Sequence, residues 1–124
     1  MIKKELASRD DNFNVLREKF HRSRYAKVNR LIGGRKTELL DIGCGKPCDS
    51  MGDGSFIEYI GYGTGLDLRL CRLKGSHVNG DVLNLPFKKN SFDVVVAMEV
   101  LEHVDDVEHA ITGISAIMKE NAVF

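Results

Sequence analysis

The stretch that decides the fold is SFDVVVAMEVLEHV, residues 91–104. From Phe92 its first half is apolar but for Asp93 and mostly β-branched, with no alternation between an inner and an outer face. Such a run suits a strand covered on both sides, as in a parallel sheet whose connections lay helices on both faces. Its second half sets Glu99, Glu102 and His103 among apolar residues directly after that strand. Chemistry-bearing residues at the exit of a buried strand fit a site at the strand ends of an open α/β sheet.

Working backward, TELLDIG (37–43) is another short apolar run, closed by Asp41 and glycines, and reads as a buried strand followed by a tight turn. DGSFIEYIGYGTGLDLRL (53–70) predicts a short helix around Ser55 to Ile60 and then a strand ending near Asp67. SHVNGDV (76–82) predicts a strand ending near Asp81, and LNLPFKKN (83–90) a loop with a Lys-Lys-Asn turn. Working forward, DVEHAITGISAIMK (106–119) places Val107, Ala110, Ile111, Ile114 and Ile117 or Met118 on one helical face, and NAVF (121–124) opens a fifth strand. At the other end, Asp10 or Asp11 is positioned to cap a helix over residues 12–32. Phe13, Leu16 and Phe20 form its stripe, Tyr25, Val28 and Ile32 continue it, and Gly33 and Gly34 end it. Strands alternating with helices predict an α/β fold, a Rossmann-like parallel sheet with helices on both faces, truncated near the fifth strand. Residues 1–36 form a basic helical segment and residues 37–124 the sheet.

The 124 residues, 43% of them apolar, suffice for one modest core. The apolar runs are too short to cross a bilayer and MIKKELASRDD lacks an apolar leader core, so the expectation is a cytoplasmic protein without a membrane partner. Three cysteines, Cys44, Cys48 and Cys71, argue against a disulfide framework. Joined by His77 they make only one loose ligand pair, short of the two tight pairs usual in structural zinc. Net charge is zero, with most Lys and Arg before Lys36. That asymmetry suits either a solvated basic face or a nucleic-acid partner for Arg17 to Arg30.

Gly43 and Gly45 let the backbone turn sharply and approach a ligand closely. A dinucleotide fingerprint requires a third glycine where Cys48 stands and a helix opening at once, whereas Pro47 and CDSMGDG (48–54) imply a longer loop, so that reading is disfavoured. Asp67 closes the second strand where a ribose presents its hydroxyls. Asp81 closes the third, beside Leu85, Pro86 and Phe87, which could wall an adenine ring.

ELLDIGCG (38–45), GLDL (65–68) and GDVLNLPFKKNSFDVVVAMEVLEHV (80–104) resemble the successive motifs of class I S-adenosylmethionine-dependent methyltransferases, particularly the methyltransferase type 11 group and the ubiquinone-biosynthesis O-methyltransferases. The resemblance runs from Glu38 to Phe124. It implies that Asp41, Gly43, Cys44 and Gly45 pass under the methionine part of S-adenosylmethionine, that Asp67 with Leu68 holds the ribose, and that Asp81 and Val82 meet the adenine. Met98 and Glu99 would face the methyl donor and an acceptor, an oxygen of a small molecule or RNA.

If a helix opens at Glu99, then Glu99, Glu102 and His103 share one face, a donor set suited to magnesium or manganese. Glu-x-x-Glu-His also resembles the metal motif of small-RNA 2′-O-methyltransferases. Alternatively His103 acts as general base with Glu99 on the substrate, or Glu102 and His103 only brace the helix. Strand four would lie at or next to an exposed edge, which predicts a homodimer through that edge or NAVF, or a catalytically incomplete module with a protein or RNA partner.

Overall fold

The computed structural model describes residues 2–33, 37–45, 55–69 and 76–124. Its elements run α1 (Ile2–Ile32), β1 (Leu39–Ile42), α2 (Phe56–Ile60), β2 (Thr64–Asp67), β3 (His77–Asn79), β4 (Phe92–Ala97), one turn of 3-10 helix (Leu101–His103), α3 (Val107–Ile117) and β5 (Met118–Val123). The strands form one sheet in the order β3-β2-β1-β4-β5, every neighbouring pair parallel. From β1 the chain first steps outward through β2 to β3, then crosses back to place β4 on the other side of β1. The gap between β1 and β4 is therefore the point where strand order reverses, where open α/β sheets bind ligands.

The core follows from period-two alternation in the centre. All four β1 residues are buried. Leu40 and Ile42 join Leu66, Val82, Phe92, Val95 and the α3 residues Ala110, Ile114 and Ile117 in one apolar cluster. Leu39 and Asp41 take the alternate positions of the strand and are buried in turn. On Leu39's side α2 buries Phe56 and Ile57, and both Ile57 and Leu39 lie against the Cα of Gly63. Five residues make a marginal helix. Here a reciprocal cap helps hold it: Ser55 Oγ accepts from Glu58 N at 3.3 Å while Glu58 Oε2 accepts from Ser55 N at 3.1 Å. Gly61 closes it in the left-handed region at φ 79°.

Several expectations change. α1 begins at Ile2, so Asp10 and Asp11 lie inside the helix rather than capping it. The surrounding Lys, Arg, Glu and Ala are good helix formers, so nothing local stops the helix there. Its proposed apolar stripe is not one buried face: Leu16 and Phe20 are 66% and 60% exposed, whereas Tyr25, Val28 and Ile32 are half-buried. Phe13's side chain lies outside the described ones. In α3 only Ala110, Ile114 and Ile117 are buried, while Val107 and Ile111 are exposed. Met118 and Lys119, read above as the end of that helix, instead begin β5.

β5 pairs with β4 irregularly: Phe92 opposes Met118 and Val94 opposes Val123, so the β5 side carries the extra residues of a bulge. Asn121 takes them up in the left-handed region at φ 64°. Lys119 Nζ meets Asp93 Oδ1 at 3.2 Å, and Asp93 Oδ2 accepts from Glu38 N at 3.0 Å. That backbone bond, then the lysine, hold the Asp93 carboxyl below the usual carboxylate range. β4 lies one strand in from the edge formed by β5. The chain divides into two compact units, one containing α1 and the other the sheet with α2 and α3.

Candidate functional site

The turn after β1 is held by its neighbour strand. Gly43 N and Cys44 N both donate to Leu66 O, at 2.7 and 3.1 Å, and Gly45 N donates to Asp67 Oδ2 at 3.0 Å. Gly43 sits at φ 71°, and a Cβ there would collide with Val100 Cγ2. Gly45 sits at φ 79° with open space where a Cβ would be. The first glycine is thus required by the protein's own packing. The second leaves backbone bare on the side a ligand would approach.

Asp67 organises the exit of β2. Its Oδ1 accepts from Arg69 N at 3.0 Å, its Oδ2 from Gly45 N, and its carbonyl from Gly80 N at 3.0 Å and Asn79 Nδ2 at 3.2 Å. A carboxylate offers about four acceptor sites, so two backbone donors fix it while leaving roughly two for a vicinal diol. At the exit of β3, Asp81 Oδ1 accepts from Leu83 N at 2.9 Å, and its carbonyl accepts from Asn84 N at 3.0 Å, closing a tight loop. His109 Nε2 donates to Leu83 O at 2.9 Å and ties that loop to α3. That bond selects the Nε2–H form of the ring.

A cavity of about 470 Å³ opens over these strand ends. It is lined by Gly43, Gly45, Asp67, Leu68, Asp81, Val82, Glu99 and His103 among the residues singled out in the sequence. Ile42, Leu66, Arg69, Gly80, Leu83, Val100, Val104 and Asp105 complete it. Of these, Val100 and Val104 looked like strand-exit apolar residues, and Arg69 and Asp105 carried no motif; only the fold brings them to the cavity. The volume falls in the range of small-molecule and cofactor sites, about 300–1,000 Å³.

Of the residues expected beneath the methionine part or facing the methyl donor, three do not line the cavity. Asp41 is buried in the sheet, and Met98 lies outside the lining. Cys44 turns its side chain toward β2, where its Sγ would lie 2.7 Å from a Cβ placed on Gly65. Burial, followed by the neighbouring charges of Asp41 and Asp67, pushes its thiol up to about 12, so it stays protonated and unreactive at neutral pH. The zinc reading cannot be followed further, because Cys48 and Cys71 lie outside the described residues, as does the segment between β2 and β3 at residues 70–75. Leu85, Pro86 and Phe87 do not line the cavity; Phe87 packs edge-on against Phe92, 5.1 Å between ring centroids.

The expected helical face of Glu99, Glu102 and His103 does not form. Glu99 adopts φ 56°, a turn follows Ala97, and only Leu101–His103 make a single 3-10 turn. The left-handed residue breaks the i, i+3, i+4 spacing, so Glu99 and His103 line the cavity while Glu102 does not. Among the described residues no group of three His, Cys, Asp or Glu side chains is placed to hold a metal. Nor is any helix among them long and apolar enough to cross a membrane.

Comparison with known proteins bears on the fold and the family. A curated ubiquinone biosynthesis O-methyltransferase of Rhodopseudomonas palustris is 30% identical over 118 aligned positions, covering 85% of this chain. The chain spans 43% of that relative's length. Among solved structures, an S-adenosylmethionine-dependent methyltransferase of Thermotoga maritima superposes with a TM-score of 0.67 at 21% identity, over 92% of this chain and 55% of that one. A proposed S-adenosyl-L-methionine-dependent methyltransferase of Methanococcus maripaludis gives 0.65 at 20%, over 90% and 58%. Both likenesses are of fold. The model of the Methyltransferase domain family matches residues 40–124, all of the sheet but the first residue of β1, and the chain therefore belongs to that family.

Proposed function

We propose that this chain binds S-adenosylmethionine in the cavity at the ends of β1, β2 and β4 and serves methyl transfer to an oxygen of a small molecule or RNA. The observation that carries the reading is the pairing of Asp67 with Gly45. One carboxylate is held by two backbone N–H groups with acceptor capacity to spare, beside a glycine whose outer side is open. In this reading Asp67, with Leu68 beside it, takes the ribose hydroxyls. Asp81 and Val82 take the adenine edge, and the turn of Gly43 and Gly45 passes beneath the methionine part. Among the described residues of the lining, Asp67, Asp81, Glu99 and Asp105 outnumber Arg69 and His103, which suits a ligand of net positive charge.

When bound, S-adenosylmethionine supplies a methyl group already activated by its sulfonium. The protein's share of the work is alignment and removal of the acceptor's proton. His103 lines the cavity on an exposed turn and is the base we assign, with Glu99 orienting the acceptor. The divalent-cation reading lacks the shared donor face it requires, and no role is given to it. The O-methyltransferase relative supports the oxygen acceptor by similarity. A cytoplasmic site of action is supported by the small, odd number of cysteines.

Calorimetric titration with S-adenosylmethionine and S-adenosylhomocysteine tests the cofactor assignment. The unchanged chain is expected to bind both, and Asp67→Ala to weaken each by at least about tenfold, the equivalent of losing charge-assisted hydrogen bonds worth ~1.5–3 kcal/mol. No binding by the folded parent overturns it. A second reading, a homodimer, is favoured by β5, which among the described residues pairs on one side only and leaves Val123 and Phe124 exposed. A monomer at all concentrations in sedimentation equilibrium would dismiss it.

A further inference from the structure

The strongest feature outside the cavity is the charge on α1. Residues 19–30, KFHRSRYAKVNR, hold five Lys and Arg and no Asp or Glu. Being helical throughout, they rotate by about 100° per residue, which puts Lys19, Arg22, Lys27 and Arg30 within a sector of roughly 140°. All four are exposed. From position 19 to position 30, at about 1.5 Å per residue, the strip is roughly 16 Å long. A cationic strip of that length, with only the small Ser23 and Ala26 between its charges, is complementary to successive phosphates of a nucleic-acid strand.

Phe20, 60% exposed, borders the strip, about 20° from Lys27 around the axis and two turns before it. The Arg24 guanidinium covers it at 5.5 Å from the ring centroid and is held by a 2.8 Å hydrogen bond to His21 Nδ1. A ring fixed by a stacked guanidinium and still open to solvent is a platform for an unpaired base. Base pairs in a duplex keep their faces stacked on one another and could not use it. A helix lying on a membrane needs a continuous apolar face, whereas here Arg24 and Lys27 interrupt that face between the exposed Phe20 and Leu31. We propose that this face of α1 binds single-stranded nucleic acid, its four cations on the phosphates and Phe20 under a base. The inference stands apart from the methyl-transfer reading and uses none of the cavity residues.

Fluorescence anisotropy of a labelled oligouridylate, titrated with the full chain at several salt concentrations, tests it. Four phosphate contacts predict that log K falls with log salt with a slope of about −3 for a single strand. Replacing Lys19, Arg22, Lys27 and Arg30 together by Gln, a residue of similar helix propensity, is expected to flatten that slope and weaken binding at least about tenfold. Circular dichroism would verify the helix, and the parent's salt slope stands whether or not the variant folds. Phe20→Ala is expected to weaken the oligouridylate and leave a duplex of equal length unaffected. No binding, a duplex preferred over the single strand, or retention only by phosphatidylserine vesicles or an acidic peptide would each overturn the proposal.

Discussion

Two turns flank the cavity and use the same unusual backbone region, by opposite means. After β1 the left-handed positions are Gly43 and Gly45; after β4 the left-handed position is Glu99. Glycine enters that region freely, whereas a glutamate there costs about 1–2 kcal/mol. Asn90 and Asn121, the other non-glycine residues with positive φ among the described residues, belong to a type that tolerates it. A chain that spends glycine on one wall and retains a strained carboxylate on the other is using backbone at the first and a side chain at the second. The strain at Glu99 therefore supports its assignment to the acceptor side of the cavity.

The comparison can be broken most forcefully at Gly43. Gly43→Ala must accept both φ 71° and a collision with Val100 Cγ2. The backbone cost of ~1–2 kcal/mol and an overpacking cost of ~1–3 kcal/mol together predict a loss of about 2–5 kcal/mol in urea unfolding. Gly45→Ala shares the backbone penalty at φ 79° but meets open space, so its loss stays near ~1–2 kcal/mol. If the proposed cofactor passes this turn, the larger effect falls on its affinity, because the new methyl stands in that open space. Equal stability losses for the two variants would mean that Val100 does not buttress the turn.

Glu99→Gly is the converse experiment. Relief of the left-handed strain opposes the greater entropy of glycine in the unfolded chain, so stability should stay within about 1 kcal/mol of the parent. Methyl transfer, if Glu99 orients the acceptor, should fall sharply while S-adenosylhomocysteine affinity changes little. A loss of more than ~2 kcal/mol with catalysis intact would instead make Glu99 a structural residue.

The same contrast explains what could be read from residues alone. β1, β4 and the buried face of α3 are legible because a continuous apolar run, or apolar residues one turn apart, leaves little choice of partner. Gly43, Gly45, Asp67 and Asp81 are legible as strand-end residues by type and spacing. Glu99 is not: a glutamate gives no local sign that it will enter the left-handed region, and without that sign Glu-Val-Leu-Glu-His reads as a regular helical turn. Met118 and Lys119 misled for a related reason, since Met and Lys favour helix and only pairing with β4 makes them strand. Arg69 and Asp105 reach the cavity through chain path, which no residue pattern encodes.

Between the two glycines sits Cys44, whose thiol reports how closed the β1 turn is. Burial first, then Asp41 and Asp67, raise it from 9.0 to about 12, so the folded state favours the neutral thiol. The sign follows: this contribution is fully present below pH 9 and is lost as the pH climbs from about 9 through about 12. At pH 9.5 the unfolded thiol is mostly ionised and the folded one is not, which lowers stability by up to about 0.8 kcal/mol relative to neutral pH. Urea midpoints of the parent and Cys44→Ala, compared at pH 7.5 and 9.5, isolate it from Cys48 and Cys71. The parent should lose the larger share. If both lose equally, Cys44 ionises as freely in the folded chain as in the unfolded one, and the turn is more open than its hydrogen bonds to Leu66 imply.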